Sequence, residues 1–300
     1  MNRKEFLKYS GLGALALGLT PSLYCTGPGP QKQLANPGLK PTENFNPDLE
    51  VELTAVTDEV QILPGEKTRV YTYLVKVTHG DQSLVATVNN SYIGPVLRVR
   101  RGQKIRINFH NQLSQESIIH WHGLHLPPEM DGHPRYALEN NETYVYEMEI
   151  VDPAGTYWFH PHPHEITGLQ VYRGLAGLFI VSDQEEEDLN LPSGEFDLPM
   201  VIQDRTFDNS NQLQYLENDM MSRMAGFFGD TILINGKREP SQVATNAYRM
   251  RIINGSNARI YKLAWSDQTP LVVIGTDGGL LEESISKPYL MLALGERAEV

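Results

Sequence analysis

Along most of the chain apolar and polar residues alternate with a period of two, the spacing at which a strand divides its side chains between two faces. In "KIRINFH", 104–110, Ile105, Ile107 and Phe109 share one face; in "TYVYEMEI", 143–150, Tyr144, Tyr146, Met148 and Ile150 do. "RGLAGLFIVSD", 173–183, reads as a buried strand running into polar residues. Turn residues separate these segments and no convincing amphipathic helix interrupts them, which predicts an all-β sandwich or Greek-key barrel over 49–183. Strand signals resume in "LPMVIQDRTF", "DTILING", "YRMRIING", "RIYKLAW" and "LVVIGTDG", so a second β domain is expected over 197–300. "MLALGERAEV" reads as a strand beginning without a closing element, which makes that second domain incomplete.

"MRIINGSNARIYKLAW", 250–265, echoes "IRINFHNQLSQESIIHWH", 105–122: a strand, an Asn-bearing turn and a second strand. The echo suggests two copies of one β fold, with Lys262 and Leu263 where the first copy has histidines. Between the copies the charge run within 183–197, "DQEEEDLNLPSGEFD", reads as a solvated linker over 184–196. Residues 26–48 carry Pro and Gly without a period and read as a linker or a wrapped arm.

A chain of 300 residues has room for about two domains, and 40% hydrophobic residues with 25 Gly and 19 Pro suit a turn-rich globular protein. A net charge of -12 argues against nucleic acid or an anionic membrane as partner. The locally basic "RVRRGQKIR", 98–106, alternates as a strand's solvent face would. The single cysteine, Cys25, excludes an internal disulfide framework and Cys-rich zinc sites. Residues 1–25 have a basic start and a short apolar run, the order of an export signal, with no membrane span expected in the mature chain. "NRKEFLK" resembles a twin-arginine signal except that Lys4 stands where the second Arg belongs. The expected location is periplasmic or extracellular, with lipid attachment at Cys25 open although "SLYC" is a poor lipobox.

Six of the nine histidines fall in "IIHWHGLH", 118–125, and "TYWFHPHPHE", 156–165. In a strand, residues two apart project from one face, so each H-x-H delivers two imidazoles about 6 to 7 Å apart at their roots. Trp121, Tyr157 and Phe159 then face the core. Pro161 cannot donate to a sheet ladder, which places its pair at a strand end or edge. Two such ends side by side would converge four imidazoles, a set that suits zinc, copper, nickel or iron. A closed tetrahedral zinc site and a larger cluster with ligands from elsewhere both satisfy the spacing.

"HWHGLHLPPEMDG" followed by "AGTYWFHPHPHEITGLQVYRGLAGLFIV" resembles the first cupredoxin domain of the multicopper oxidases, the group that includes cuprous oxidases, bilirubin oxidases and laccases. "GPVLRVRRGQKIRINFHNQL" is similar to that domain's opening strands, and "FFGDTILING", "RIINGSNARIYKLAWSD", "IGTDGGLL" and "LGERAEV" to the second domain, so the resemblance spans about 50–300. It implies tandem cupredoxin-like Greek-key β-barrels and half of a three-copper cluster. By resemblance His120 would hold the type 2 copper, His122, His160 and His162 the type 3 pair, and Asp131 would help deliver protons to oxygen. The blue type 1 copper needs a Cys; none follows Cys25, so the resemblance puts that copper and the other cluster ligands in a third, C-terminal domain. The implied activity couples one-electron oxidation of a small substrate, phenol-like or cuprous ion, to four-electron reduction of O2 to water. The alternative is an exported cupredoxin-fold structural or copper-binding protein without oxidase activity.

The remaining histidines have lesser expectations. His164 is expected outside the ligand set; His125 and His133 read as surface histidines, and His79 and His110 have no assigned role. Met220, Met221 and Met224 read as packing residues.

Overall fold

The computed structural model describes residues 40–216, 220–238 and 247–300, all within the compact unit Pro37–Val300. The export reading of residues 1–25, Cys25 included, lies outside the described residues, as does the start of the 26–48 segment. Residues 40–48 form no strand and are pinned along the first sheet: Thr42 donates its backbone N–H to the Glu147 carboxylate, and Arg106 reaches the Phe45 carbonyl.

Nine strands occupy the first half of the described chain: β1 (Leu49–Val60), β2 (Thr68–His79), β3 (Val85–Ala86), β4 (Val96–Arg100), β5 (Lys104–Asn111), β6 (Ile119–His122), β7 (Thr143–Glu149), β8 (Gly155–Pro161) and β9 (Gly177–Ser182). They form a four-stranded sheet in the order β2-β1-β5-β7 and a five-stranded sheet in the order β3-β4-β9-β8-β6. The alternation read from the sequence is the alternation of burial: Ile105, Ile107, Phe109, Tyr144 and Tyr146, joined by Leu49, Val51 and Leu53 of β1, point into one core against Leu97, Trp121, Phe159 and Phe179 of the other sheet. Trp121 sits between Tyr146, Phe159 and Phe179, with ring centroids 5.1 to 5.8 Å apart. A fully buried large aromatic contributes about 1.5 to 3 kcal/mol through area alone, so Trp121 anchors β6 between its two histidines.

Eight further strands follow: β10 (Asp197–Arg205), β11 (Thr231–Ile234), β12 (Arg249–Asn254), β13 (Tyr261–Leu263), β14 (Leu271–Thr276), β15 (Gly279–Lys287), β16 (Leu290–Leu292) and β17 (Arg297–Glu299). The order is β11-β10-β12-β17-β14-β15, with β13 and β16 paired separately. This sheet packs on the outer face of the five-stranded one, where Val96, Trp158, Leu178 and Ile180 meet Val201, Leu233 and Ile253. β8 and β9 are therefore covered on both faces, which is why their sequences lack alternation.

The internal echo has a structural counterpart. β1 pairs in parallel with β5, and β10 in parallel with β12. At the end of β5 the buried Asn111 side chain accepts from Leu113 N–H and donates to the Gln115 and Leu138 carbonyls. At the end of β12 the buried Asn254 accepts from Ser256 N–H and donates to the Arg259 and Leu292 carbonyls. Each amide closes its own turn and ties it to a distant segment, so neither leaves a buried polar group unpaired.

Two expectations are corrected. The 183–197 segment is not simply solvated: it contains a short helix, α2 (Gln184–Asp188), and places Glu186 and Asp197 in a buried ionic cluster. Arg251 pairs with Glu186, Asp197 and Glu299 at 2.7 to 2.9 Å, Arg249 with Glu186 at 2.6 Å and also with Glu299, and Arg98 with Asp197 at 2.8 Å. Before it, α1 (Thr167–Arg173) occupies the stretch that leads into β9, and Gly174 ends it at φ 130°. In α3 (Met220–Ala225), Met220 and Met224 are 75% and 78% exposed, so they do not pack. Among the described residues no helix is long and apolar enough to cross a membrane.

Candidate metal centre

β6 is the edge strand of its sheet and pairs with β8 so that His120 faces His160 directly and His122 faces Trp158. The period of two puts His120, His122, Trp158 and His160 on the face turned toward the second β region, opposite Trp121 and Phe159. β8 ends at Pro161, and His162 continues from it with its backbone N–H donated to the Ile118 carbonyl at 2.8 Å. The free edge of β6 is tied down by the Tyr146 hydroxyl, which accepts from Ile119 N–H at 2.9 Å and donates to its carbonyl at 3.0 Å.

One nitrogen from each of His120, His122 and His160 lies within 4.8 Å of the others. His162 is the outlying member; its ring centroid stands 5.4 Å from His120 and 6.3 Å from His160. His120 donates from Nδ1 to the Asp131 carbonyl at 2.9 Å, and His160 from Nδ1 to the Pro161 carbonyl at 2.9 Å. A carbonyl only accepts, so both rings carry a proton on Nδ1, and in the neutral ring that leaves Nε2 free to bind a metal. His122 turns Nδ1 inward, 3.3 Å from Nε2 of His160. The Nδ1 of His162 is buried without a hydrogen-bond partner.

Electrostatics keep most of the set neutral. Burial, then the charge of Arg297, holds His122 down to about 4; burial holds His160 down to about 3, and burial followed by the neighbouring His120 lowers His162. Burial also opposes charge on His120, but hydrogen bonds and attraction from Asp131 outweigh it and raise that ring. Neutral imidazole is the form that binds a metal. Three convergent ring nitrogens, two fixed tautomers and an orphaned fourth ring fit a histidine-bound metal ion.

Asp131 reaches the cluster because of Gly132, which adopts φ +73°; a Cβ there would stand 1.9 Å from the Ile119 carbonyl oxygen. The close approach sets the Asp131 carboxylate 3.0 Å from His120 Nδ1. A cleft lined by His120, Asp131, His162, His133, Leu126 and Pro134 opens beside it, which places His133 at the mouth of the centre. His164 is 80% exposed beside Glu165, and His79 is an exposed residue at the end of β2. His110 lies on the first sheet's outer face with Glu52 and Thr143.

His125 stands apart, exposed, bonded to the buried Asp152 carboxylate through its ring and through its backbone N–H at 3.1 Å. That hydrogen bond, then the carboxylate's charge, raises the His125 pKa. A raised histidine stabilises the fold fully below the unfolded value near ~6.5, and the contribution is lost as pH rises through the folded value. Proton NMR titration is expected to place His125 above ordinary imidazole in the native chain and back near it in Asp152→Asn. An unchanged midpoint in the variant would refute the assignment.

Sequence reasoning leaves out three neighbours of the histidines: Trp158, Gly295 and Arg297. Trp158 stacks 4.4 Å from His160 and 5.2 Å from His122, centroid to centroid. Its place followed from the strand period; the other two come from a segment more than 130 residues away along the chain.

A family model described as multicopper oxidase matches residues 69–186. "Multicopper oxidase mco" of Staphylococcus aureus is 34% identical over 222 residues, 74% of this chain and 49% of the relative. "Cell division protein FtsP" of Escherichia coli (strain K12) is 31% identical over 303 aligned positions, 100% of this chain and 59% of the relative. The crystal structure of McoA multicopper oxidase from the hyperthermophile Aquifex aeolicus superimposes with a TM-score of 0.72 at 39% identity, over 85% of this chain and 54% of that one. The chain thus spans about half the length of the curated relatives it matches. With the family model, these relatives and a shared mostly β, cupredoxin-like architecture in agreement, the chain belongs to the multicopper oxidase family.

Proposed function

We propose that this chain contributes half of a three-copper centre to an exported oxidase that couples one-electron oxidation of a phenol-like substrate or cuprous ion to four-electron reduction of O2 to water. The observation that carries the reading is the convergence of His120, His122 and His160 within 4.8 Å. His120 would hold the type 2 copper, and His122, His160 and His162 the type 3 pair, with the remaining ligands and the type 1 copper supplied by a third domain. Bound copper supplies one-electron cycling between two oxidation states, which zinc cannot do.

This chain's own residues have definable tasks. The Asp131 carbonyl and the Pro161 carbonyl hold the Nδ1 protons of His120 and His160 and aim the opposite nitrogens inward. The Asp131 carboxylate, 35% exposed in the cleft, is placed to take a proton from water and pass it inward. Trp158 and the second β region cover the other flank and exclude water from it.

The relatives' names divide between an oxidase and a cell division protein. A purely structural role gives no reason for neutral imidazoles to crowd in a desolvated site, and this favours the oxidase. The test loads the gene's complete product with copper, then measures metal content and oxygen consumption with a phenol and with cuprous ion. Copper bound with oxygen consumed supports the proposal. Copper bound without oxygen uptake marks a copper-binding module, and no copper marks a scaffold; either overturns it.

A further inference from the structure

The orientation of His122 lacks the support that His120 and His160 have. An imidazole can turn either edge toward a ligand, since rotation about its second side-chain bond has two broad minima. Carbonyl oxygens settle the choice for His120 and His160. Among the described residues no carbonyl or carboxylate bonds to His122; its one hydrogen-bond contact is with His160.

The loop before β17 lies against that ring. Gly295 adopts φ +72°, and a Cβ there would stand 3.1 Å from His122 Cε1, 3.7 Å from its Nε2 and 3.7 Å from Trp158 Cζ2. The glycine is itself fixed: its N–H donates to the Asn254 carbonyl at 2.9 Å, and its carbonyl accepts from Arg297 Nη1 at 3.2 Å. Arg297, 5% exposed, also donates from Nε to the Thr156 carbonyl at 3.1 Å and pairs with Asp277 at 2.8 Å. Its Nη2 lies so close to the backbone after His122 that a Cβ on Gly123 would meet it at 2.7 Å.

We propose that Gly295 and Arg297 are positioning residues for the metal centre. From the second β region they close on the Cε1–Nε2 edge of His122 and on the backbone of Gly123, and so keep Nδ1 of that ring turned toward His120 and His160. Packing does for His122 what a carbonyl does for the other two. The purpose of the arrangement rests on the copper reading above, whereas the ring orientation can be measured without metal.

The test uses the metal-free chain labelled with 13C at the histidine Cε1 carbon. Wild type is expected to show one His122 resonance with a nuclear Overhauser contact from Hε1 to the Gly295 α-protons. Gly295→Ala and Arg297→Gln are expected to shift or split that resonance and weaken the contact. Gly194→Ala serves as control, because Gly194 has φ +61° with nothing within 4 Å of an added Cβ, so it reports backbone strain alone. Arg297→Gln adds no atom to the contact and keeps the test available if the alanine variant does not fold. A titration with copper ion should then show both variants binding about 10- to 100-fold more weakly than wild type, the usual effect of losing a residue that orients a ligand. An unmoved His122 resonance in the variants, or an equal change in Gly194→Ala, would overturn the proposal. Failure of wild type to bind copper would instead sink the functional reading and leave the orientation result standing.

Discussion

Replacing His160 by alanine is expected to cost the centre its copper while leaving the metal-free fold at least as stable. His160 is the middle of the set: it faces His120 across the strand pair, lies 3.3 Å from His122, and is 9% exposed. A removed ligand does more harm than a removed orienting group, which typically costs 10- to 100-fold, so copper affinity should fall by more than about 100-fold. Stability should move differently. The imidazole is held neutral in a desolvated place where a polar ring is costly, and its carbonyl bond contributes only about 0.5 to 1.5 kcal/mol. Copper titration followed by thermal unfolding of the metal-free forms reads both quantities. Undiminished copper binding would refute the site; a metal-free variant melting well below wild type would show that His160 is structural.

The largest stability loss is expected at Glu299, not in an apolar core. Glu299 is wholly buried; one carboxylate oxygen accepts from Arg251 at 2.9 Å and Thr156 at 2.7 Å, and the other from Arg249 at 2.8 Å. Removing one member of such a cluster leaves uncompensated buried charge, a loss of about 3 to 5 kcal/mol. Glu299→Gln keeps the shape and removes the charge, so denaturant unfolding should show a loss in that range. A change under about 1 kcal/mol would mean that Glu186 and Asp197 alone suffice for Arg98, Arg249 and Arg251.

The features legible beforehand share one property: their signal is local. One-sided alternation marked β5 and β7, and H-x-H on a strand placed pairs of imidazoles on one face without reference to anything distant. The Asn-bearing turns were visible as an echo because each amide first serves its own turn. What was missed depends on partners far along the chain. Glu186 looked like part of a solvated charge run because Arg249 and Arg251 lie 63 and 65 residues later. α1 carries no side-chain cap at its start and is seven residues long, so nothing periodic announced it. Gly295 and Arg297 belong to "LGERAEV", where no residue hints at a histidine.

The pairing of β6 with β8 also decides when the centre can exist. His122 and His160 are 38 residues apart, joined by the strand pair at a sheet edge, so the convergent set forms only after a long-range closure that is slow compared with local structure. Each H-x-H pair, by contrast, is present in the unfolded chain. Copper supplied before that closure binds the unfolded state as well and loses much of its power to stabilise the native one. Order of addition therefore matters: this protein should be refolded first and metallated second.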